Sequence, residues 1–138
     1  MRRLISLSVL FALLAVSELL CAQPFPVPQG TMCSECGMMV NPDSKFSVEL
    51  VTTNGKKMFF CDIGDMLRHF RSDKGTLKTI YVKDYMSSGW IDGEKALYVL
   101  NKRFSTPMSW NIAAFSSESE AKKWGSPVGF SGAFGLLK

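Results

Sequence analysis

Histidine, extended basic runs and a second apolar stretch are all missing or scarce in this sequence. The single histidine, His69, leaves little from which to build a conventional Ser-His-Asp triad. The 16 lysines and arginines are scattered and never form more than a pair in sequence, which argues against a nucleic-acid-binding stripe. No long apolar stretch follows the N-terminal one, which excludes a protein with several membrane spans. With neither a phosphate-cradling loop nor a Gly-x-Ser-x-Gly elbow, we expect that the chain is not an enzyme.

Sulfur, by contrast, is abundant. Eight methionines and four cysteines occur among 138 residues, and these side chains serve packing, disulfide bridging or metal ligation. After Cys21, the remaining cysteines are Cys33, Cys36 and Cys61, an odd number. An odd cysteine in an exported protein indicates either a free thiol or a metal site.

The first 22 residues have the pattern of a signal peptide. Arg2 and Arg3 precede an apolar run over 4–16, which is shorter than the roughly 20 residues of a spanning helix. Cleavage after Ala22 would release a secreted protein, whereas lipid attachment at Cys21 would leave it anchored to a membrane. An uncleaved anchor is the third alternative. We therefore expect an exported, periplasmic protein with 1–22 as its signal peptide.

The remainder reads as one domain over 31–134, preceded by a proline-rich linker over 23–30. Proline at every second position favours a stiff, extended spacer, which would hold the domain away from a membrane. We predict an α+β fold with antiparallel sheets, made of two repeated β-β-α-β halves.

The first half begins with a hairpin. Residues 45–51 alternate apolar and polar side chains, with Ser47 and Glu49 on the polar face, which predicts a half-buried strand. Asn54-Gly55 is a strong hairpin signal, and 56–60 supplies the returning strand.

A helix and a third strand complete this half. Asp62 is a candidate N-cap, with Asp65 in the capping-box position three residues later. The apolar residues that follow have helical spacing, so one face should be buried. Residues 77–83 are rich in β-formers and predict the last strand.

The second half repeats this order. We predict strands over 96–100 and 108–115, a helix capped by Ser117, and a final glycine-rich strand over 128–134. The two strand-to-helix junctions align with a spacing of 55 residues, Phe60 with Phe115 and Asp62 with Ser117. We interpret this as a weak internal repeat.

The segment from Cys33 to Met39, Cys-Ser-Glu-Cys-Gly-Met-Met, admits four interpretations. A Cys33–Cys36 disulfide would close a tiny loop and leave Cys61 alone. A thioredoxin-like redox pair would need a helix directly after Cys33, which Gly37 and Pro42 disfavour. Both interpretations explain the segment poorly.

The other two interpretations are metal sites. A zinc site would use Cys33, Cys36 and Cys61, with His69 or Asp65 as the fourth ligand, and would stabilise an interaction module.

A Cu(I) site would combine thiolates with thioethers, the soft ligands that this ion prefers. Met38 and Met39 lie beside the cysteines and point to opposite faces of an extended backbone, so only one of them should face a metal. Met108, at a predicted strand start, is a further candidate.

Several motifs, in order, resemble the NosL-type accessory proteins of nitrous oxide reductase. They are Cys36-Gly37-Met38, Phe60-Cys61-Asp62-Ile63-Gly64-Asp65-Met66, Tyr81-Val82-Lys83-Asp84-Tyr85, Thr106-Pro107-Met108 and Ala113-Ala114-Phe115.

The resemblance implies a fold similar to part of the organomercury lyases, and an exported, usually lipid-anchored Cu(I) carrier. Such a carrier supplies copper to nitrous oxide reductase, a denitrification enzyme, alongside an ABC-type membrane complex. The same carrier could serve another copper enzyme. By this resemblance Cys36, Met38 and Met108 are the matching candidate ligands.

Overall fold

A computed structural model describes residues 24–138; the predicted signal peptide and Cys21 lie outside these residues. The strands are β1 (Val48–Thr52), β2 (Lys57–Phe60), β3 (Leu77–Lys83), β4 (Trp90–Asp92), β5 (Leu97–Leu100) and β6 (Ile112–Phe115). The helices are α1 (Ile63–His69), α2 (Glu118–Lys122) and α3 (Phe130–Ala133), with 3₁₀ turns at Lys74–Thr76 and Phe134–Leu136. Within the described part of the chain, no helix has the length and apolarity needed to cross a membrane.

The larger sheet has four strands in the order β2-β1-β3-β4, and every neighbouring pair is antiparallel. The predicted β1–β2 hairpin is confirmed, with Gly55 at a φ of 83° in the turn. The predicted strand 77–83 is confirmed as β3, whereas β4 was not foreseen. The α+β class with antiparallel sheets is therefore confirmed.

The central strand β1 is buried on both faces, so the expectation of a half-buried strand is wrong. Ser47 and Glu49, on its predicted polar face, are fully buried. The proline-rich segment covers Glu49, where the Phe25 backbone N–H donates to Glu49 Oε2 over 3.0 Å, whereas the Ser47 hydroxyl donates to the Asn41 carbonyl. The Phe25 ring also packs edge-on against Phe59, with centroids 5.5 Å apart. The segment predicted as a spacer thus contacts the sheet, which an alternation pattern cannot reveal because the cover lies elsewhere in sequence.

Helix α1 starts as predicted. The Asp62 side chain accepts a hydrogen bond from the Gly64 N–H at 3.0 Å, which satisfies one of the free donors of the first turn. The apolar face, including Ile63, Met66 and Leu67, is fully buried in the main core, where α1 contacts both β2 of the large sheet and β6 of the small one. This packing fixes the position of the first turn of α1.

The second half shares only part of this arrangement. Strands β5 and β6 form an antiparallel pair, and Ser117 caps α2 by accepting from the Glu120 N–H. The predicted closing strand over 128–134 is wrong. Only Val128 pairs, in an isolated bridge with Tyr98, and the chain then turns into α3.

The predicted strand over 108–115 is also too long, because β6 begins at Ile112. Residues 107–109 form a turn, and Ser109 and Asn111 adopt left-handed φ values of 60° and 57°. Left-handed residues interrupt strand pairing. The resulting loop folds back over the first turn of α1, where the Met108 N–H donates to Asp62 Oδ2 at 2.9 Å.

Candidate metal site

Cys33 and Cys36 lie on a short hairpin over 31–40, called here the Cys hairpin. The Cys33 N–H donates to the Met38 carbonyl at 2.7 Å, and the Val40 N–H donates to the Thr31 carbonyl at 2.8 Å. Gly37, with a φ of 73°, makes the turn possible because a side chain disfavours this conformation. The hairpin therefore holds Cys33 and Cys36 in a defined geometry without a helix.

The third cysteine and an aspartate reach the same point from the β2–α1 junction. Cys61 follows β2, and Asp65 lies four residues later in the first turn of α1. Cys36 Sγ is 3.4 Å from Cys61 Sγ, and Asp65 Oδ2 is 3.6 Å from Cys33 Sγ and 3.7 Å from Cys61 Sγ. One donor atom from each of the four residues lies within 4.8 Å of the others. We call these four residues the thiol cluster.

The thiol cluster is shielded from water on most sides. Cys33, Cys61 and Asp65 are buried and Cys36 is half-buried, so Cys36 forms its open edge. All three cysteines are free thiols. Burial raises the pKa of Cys36 and of Cys61 above the usual thiol range. Both are therefore neutral thiols at neutral pH, and a metal ion would displace their protons on binding.

Asp65 is held by a residue from the second half of the chain. The indole N–H of Trp110 donates to Asp65 Oδ1 at 2.8 Å, which leaves Oδ2 directed towards the thiols. Gly64 makes room for this contact, since a Cβ at that position would overlap the Trp110 side chain. The capping-box role expected for Asp65 is thus replaced by a role in the thiol cluster.

An ion-pair network ties the Cys hairpin to α1. Glu35 lies 2.7 Å from Arg68 Nε through one oxygen and 2.7 Å from His69 Nδ1 through the other. Burial alone would raise the pKa of Glu35, but the hydrogen bonds from His69 and Arg68 outweigh it and hold that pKa below its usual range. Because His69 is engaged by Glu35, the fourth position beside the three thiols belongs to Asp65.

The two methionines predicted as thioether ligands are connected through their backbones to segments that carry the thiol cluster. Met38 is paired with Cys33 across the hairpin through its carbonyl, and about half of its side chain is exposed. Met108 is half-buried, packs against the core, and is fixed by its N–H to Asp62. Burial raises the pKa of Asp62 despite this bond and those from Thr106 and Gly64. The ligand roles of Met38 and Met108 stay predictions.

The three cysteines predicted as ligands lie close together in the structure, whereas the role of Trp110 was not predicted. Asp65 was one of the two residues proposed as a fourth ligand, and the first turn of α1 brings its Oδ2 to 3.7 Å from Cys61 Sγ. Gly64 within a helical pattern indicated a close approach to the first turn of α1. Nothing local identified Trp110, which lies 45 residues from Asp65 in sequence.

The donor set is suited to soft or borderline metals. Three sulfurs favour Cu(I), while three sulfurs and one carboxylate oxygen around a Cys-x-x-Cys turn also fit tetrahedral Zn²⁺. These few donor atoms fit a cation that prefers a low coordination number. A hard cation such as Mg²⁺ would require more oxygen ligands than the thiol cluster offers.

Comparison with known proteins shows the family and the fold of this chain. The sequence model of the NosL family matches residues 24–129. The fold is similar to the crystal structure of the copper chaperone NosL from Shewanella denitrificans. That match has a TM-score of 0.70 and 21% identity over 79% of this chain and 93% of that chain. A search of curated proteins gives no match. Because the family match extends over more than half of the sequence, this chain belongs to the NosL family.

Proposed function

We propose that this protein is a Cu(I) carrier whose cargo binds at the thiol cluster. The observation that carries the proposal is the convergence of Cys33, Cys36 and Cys61, three free thiols that come from two separate segments. Thiolate sulfur is a soft ligand that favours Cu(I), as it also favours Zn²⁺, over hard cations. A solved protein with this fold is described as a copper chaperone. Membership of the NosL family confirms the expectation that the chain is not an enzyme.

The arrangement suits a carrier because it combines a protected interior with one accessible ligand. Cys33 and Cys61 are buried, whereas Cys36 is at the open edge. An incoming thiolate or thioether of an acceptor protein would exchange with the ligand at that edge while the buried thiols still hold the ion. Met38 and Met108 are proposed to add thioether ligands at this edge.

The site of action and the client are part of the same proposal. The signal-peptide pattern over 1–22 supports export to the periplasm, with Cys21 as the lipid anchor if the chain is lipidated. We propose nitrous oxide reductase or a related copper enzyme as the client, and an ABC-type complex in the membrane as the partner in its maturation. Membership of the NosL family supports this assignment.

Cu(I) competition with a colorimetric chelator tests the proposal. The reduced wild-type protein should withdraw one Cu(I) from the chelator, and Cys36→Ser should retain the fold but lose at least tenfold in affinity. Met86→Leu, in a loop of the first half, is the matched control and should behave as wild type. Equal and weak competition by wild type and Cys36→Ser would refute the carrier function.

Asp65 gives specific support to a second candidate, a zinc-structured interaction module. Its carboxylate oxygen beside three thiols completes the four ligands of a structural zinc site. Structural zinc contributes directly to folding free energy. If this candidate is correct, the purified protein contains stoichiometric zinc, and chelation lowers its melting temperature by more than 10 °C. A copper carrier would instead melt at nearly the same temperature after chelation of zinc.

A further inference from the structure

Methionine accounts for every exposed large hydrophobic side chain in residues 24–138. Met32, Met38, Met39 and Met86 are 55%, 51%, 68% and 49% exposed. The first three lie on the Cys hairpin. Exposed apolar side chains are unfavourable in water, and here this exposure is confined to thioethers while leucine, isoleucine and phenylalanine are covered. The distribution indicates that sulfur chemistry, beyond simple hydrophobicity, places these side chains at the surface.

Two of these methionines face each other across the Cys hairpin. Met32 and Met39 form an antiparallel bridge, flanked by the hydrogen bonds from the Cys33 N–H to Met38 and from the Val40 N–H to Thr31. This pattern defines a non-hydrogen-bonded pair, in which the Cα atoms are only about 4.5 Å apart and the side chains project to the same side. We call these two residues the thioether pair.

The thioether pair lies on the opposite side of the hairpin from the thiol cluster. Successive side chains of an extended strand alternate between faces, so Met32 and Met39 point away from Cys33 and Met38. Cys33 is buried whereas Met32 and Met39 are exposed, which agrees with this alternation. The pair is therefore a separate feature with its own access to solvent.

The charges of this segment do not repel a cation, although Glu35 is already paired with Arg68 and His69 of α1. The whole chain has a net charge of +4, yet residues 23–44 contain no lysine or arginine. Their charged residues are Glu35 and Asp43, both acidic. A cation approaching the outer face of the hairpin meets no basic side chain of this segment.

We propose that Met32 and Met39 form a second, weaker binding site for a soft monovalent cation, Cu(I), independent of the thiol cluster. Two neutral thioether side chains that project from directly opposite positions on one side of the hairpin can reach the same ion, and thioethers select Cu(I) over hard cations. The site is weaker than a thiolate site because it offers no negative charge to the ion. Binding releases no proton, since a thioether has none to lose. Its occupancy is therefore independent of pH.

Methyl NMR of the full exported chain, labelled with ¹³C at the methionine methyl groups, tests this inference. Ag(I) serves as the redox-stable probe for Cu(I) and is added in steps to the reduced protein at pH 5.5 and pH 8. We expect the Met32 and Met39 methyl signals to shift together, with the same midpoint at both pH values. The Met86 signal, from a lone exposed methionine, should stay in place.

Single substitutions sharpen the test. Met39→Leu should abolish the Met32 shift, and Met32→Leu should abolish the Met39 shift, because each thioether is only half of the site. Met38→Leu should leave both shifts intact. All three positions are exposed, so folding should be preserved, as a melting curve would verify.

Independent shifts of Met32 and Met39, or a Met86 shift of the same size, would overturn the inference. Its failure is distinguishable from failure of the carrier proposal. The carrier proposal fails if Cys36→Ser does not change competition with the chelator. The second site fails if the methionine signals do not depend on one another, whichever metal the thiol cluster binds.

Discussion

The indole N–H of Trp110 donates a 2.8 Å hydrogen bond to Oδ1 of Asp65, while Oδ2 of the same carboxylate lies 3.6 Å from a cysteine sulfur. One carboxylate thus has one oxygen committed to orientation and one directed into the thiol cluster. The tryptophan belongs to the second half of the chain and the aspartate to the first. The contact therefore makes the geometry of the site depend on the packing of the two halves.

Replacing the tryptophan should weaken metal binding without removing a ligand. Trp110→Phe keeps most of the ring packing but deletes the N–H donor, so Asp65 loses its fixed orientation. Loss of such an orienting partner typically lowers metal affinity by about 10- to 100-fold. Competition titrations with Zn²⁺ and with Cu(I) would measure the effect. Trp124→Phe, in the separate core cluster, is the control and should bind metal as wild type does.

Gly64 is predicted to act on the site through the same tryptophan. In Gly64→Ala the added methyl group would overlap the Trp110 side chain, which should cost about 1–3 kcal/mol of stability and lower metal affinity. Gly75→Ala, where a Cβ meets nothing within 4 Å, should not destabilise the protein.

A double-mutant cycle identifies the cause. In a Trp110→Gly background the side-chain atoms that overlap, Cβ included, are gone, so Gly64→Ala should become neutral or stabilising by up to about 1 kcal/mol, the helix-propensity gain. An equal loss of stability in both backgrounds would show that the glycine acts through another contact. Urea denaturation of the four proteins gives the coupling energy.

Local patterns predicted most of the first half of the fold and little of what arranges the site. The β1–β2 hairpin, β3 and the Asp62 cap follow from short-range signals, since a turn, a strand and an N-cap are each set by neighbours in sequence. Met108 was predicted to start a strand because its neighbours alternate. Left-handed Ser109 and Asn111 instead delay the start of that strand to Ile112 and turn the preceding loop onto α1.

The candidate site shows the same division. The spacing of Cys33 and Cys36 and the i, i+4 relation of Cys61 and Asp65 can be read from sequence. The 2.8 Å contact of Trp110 cannot, because it depends on how the halves pack.

Glu35 should stabilise the Cys hairpin more than the whole domain. Glu35→Gln weakens the ion pairs to Arg68 and His69, which are partly exposed and so contribute about 1 kcal/mol or less. We expect faster amide exchange at Cys33 and Gly37 and a several-fold loss of metal affinity, with little change in melting temperature.

Glu118→Gln is the matched control for Glu35, because Glu118 forms an ion pair of the same length, 2.7 Å, with Lys122 on α2. It should leave hairpin exchange unchanged. Equal exchange rates in the two variants would mean that the hairpin does not depend on its ionic link to α1.

Glu49 should make the stability of the domain depend on pH. Burial raises the pKa of this carboxyl to about 7, although the Phe25 N–H and the charges of Lys83 and Lys57 act in the opposite direction. Its Oε1 is buried and has no hydrogen-bond partner, so a neutral carboxyl suits the site better than an anion. With this pKa, the carboxyl beneath the proline-rich segment is mainly protonated below about pH 7 and mainly ionised above it.

Proton linkage gives the direction in which stability changes with pH. Between pH 4.5 and about 7 the folded protein holds a proton on Glu49 that the unfolded chain releases. Its contribution is therefore complete below pH 4.5 and is lost as pH rises through about 7. Full linkage corresponds to about 3 kcal/mol. The free energy of unfolding is measured by urea denaturation from pH 4.5 to pH 8. The difference between wild type and Glu49→Gln should fall by about this amount over that range. The difference between wild type and Glu94→Gln, on an exposed turn, should stay constant. A constant difference between wild type and Glu49→Gln would show that Glu49 is already ionised when the proline-rich segment is packed.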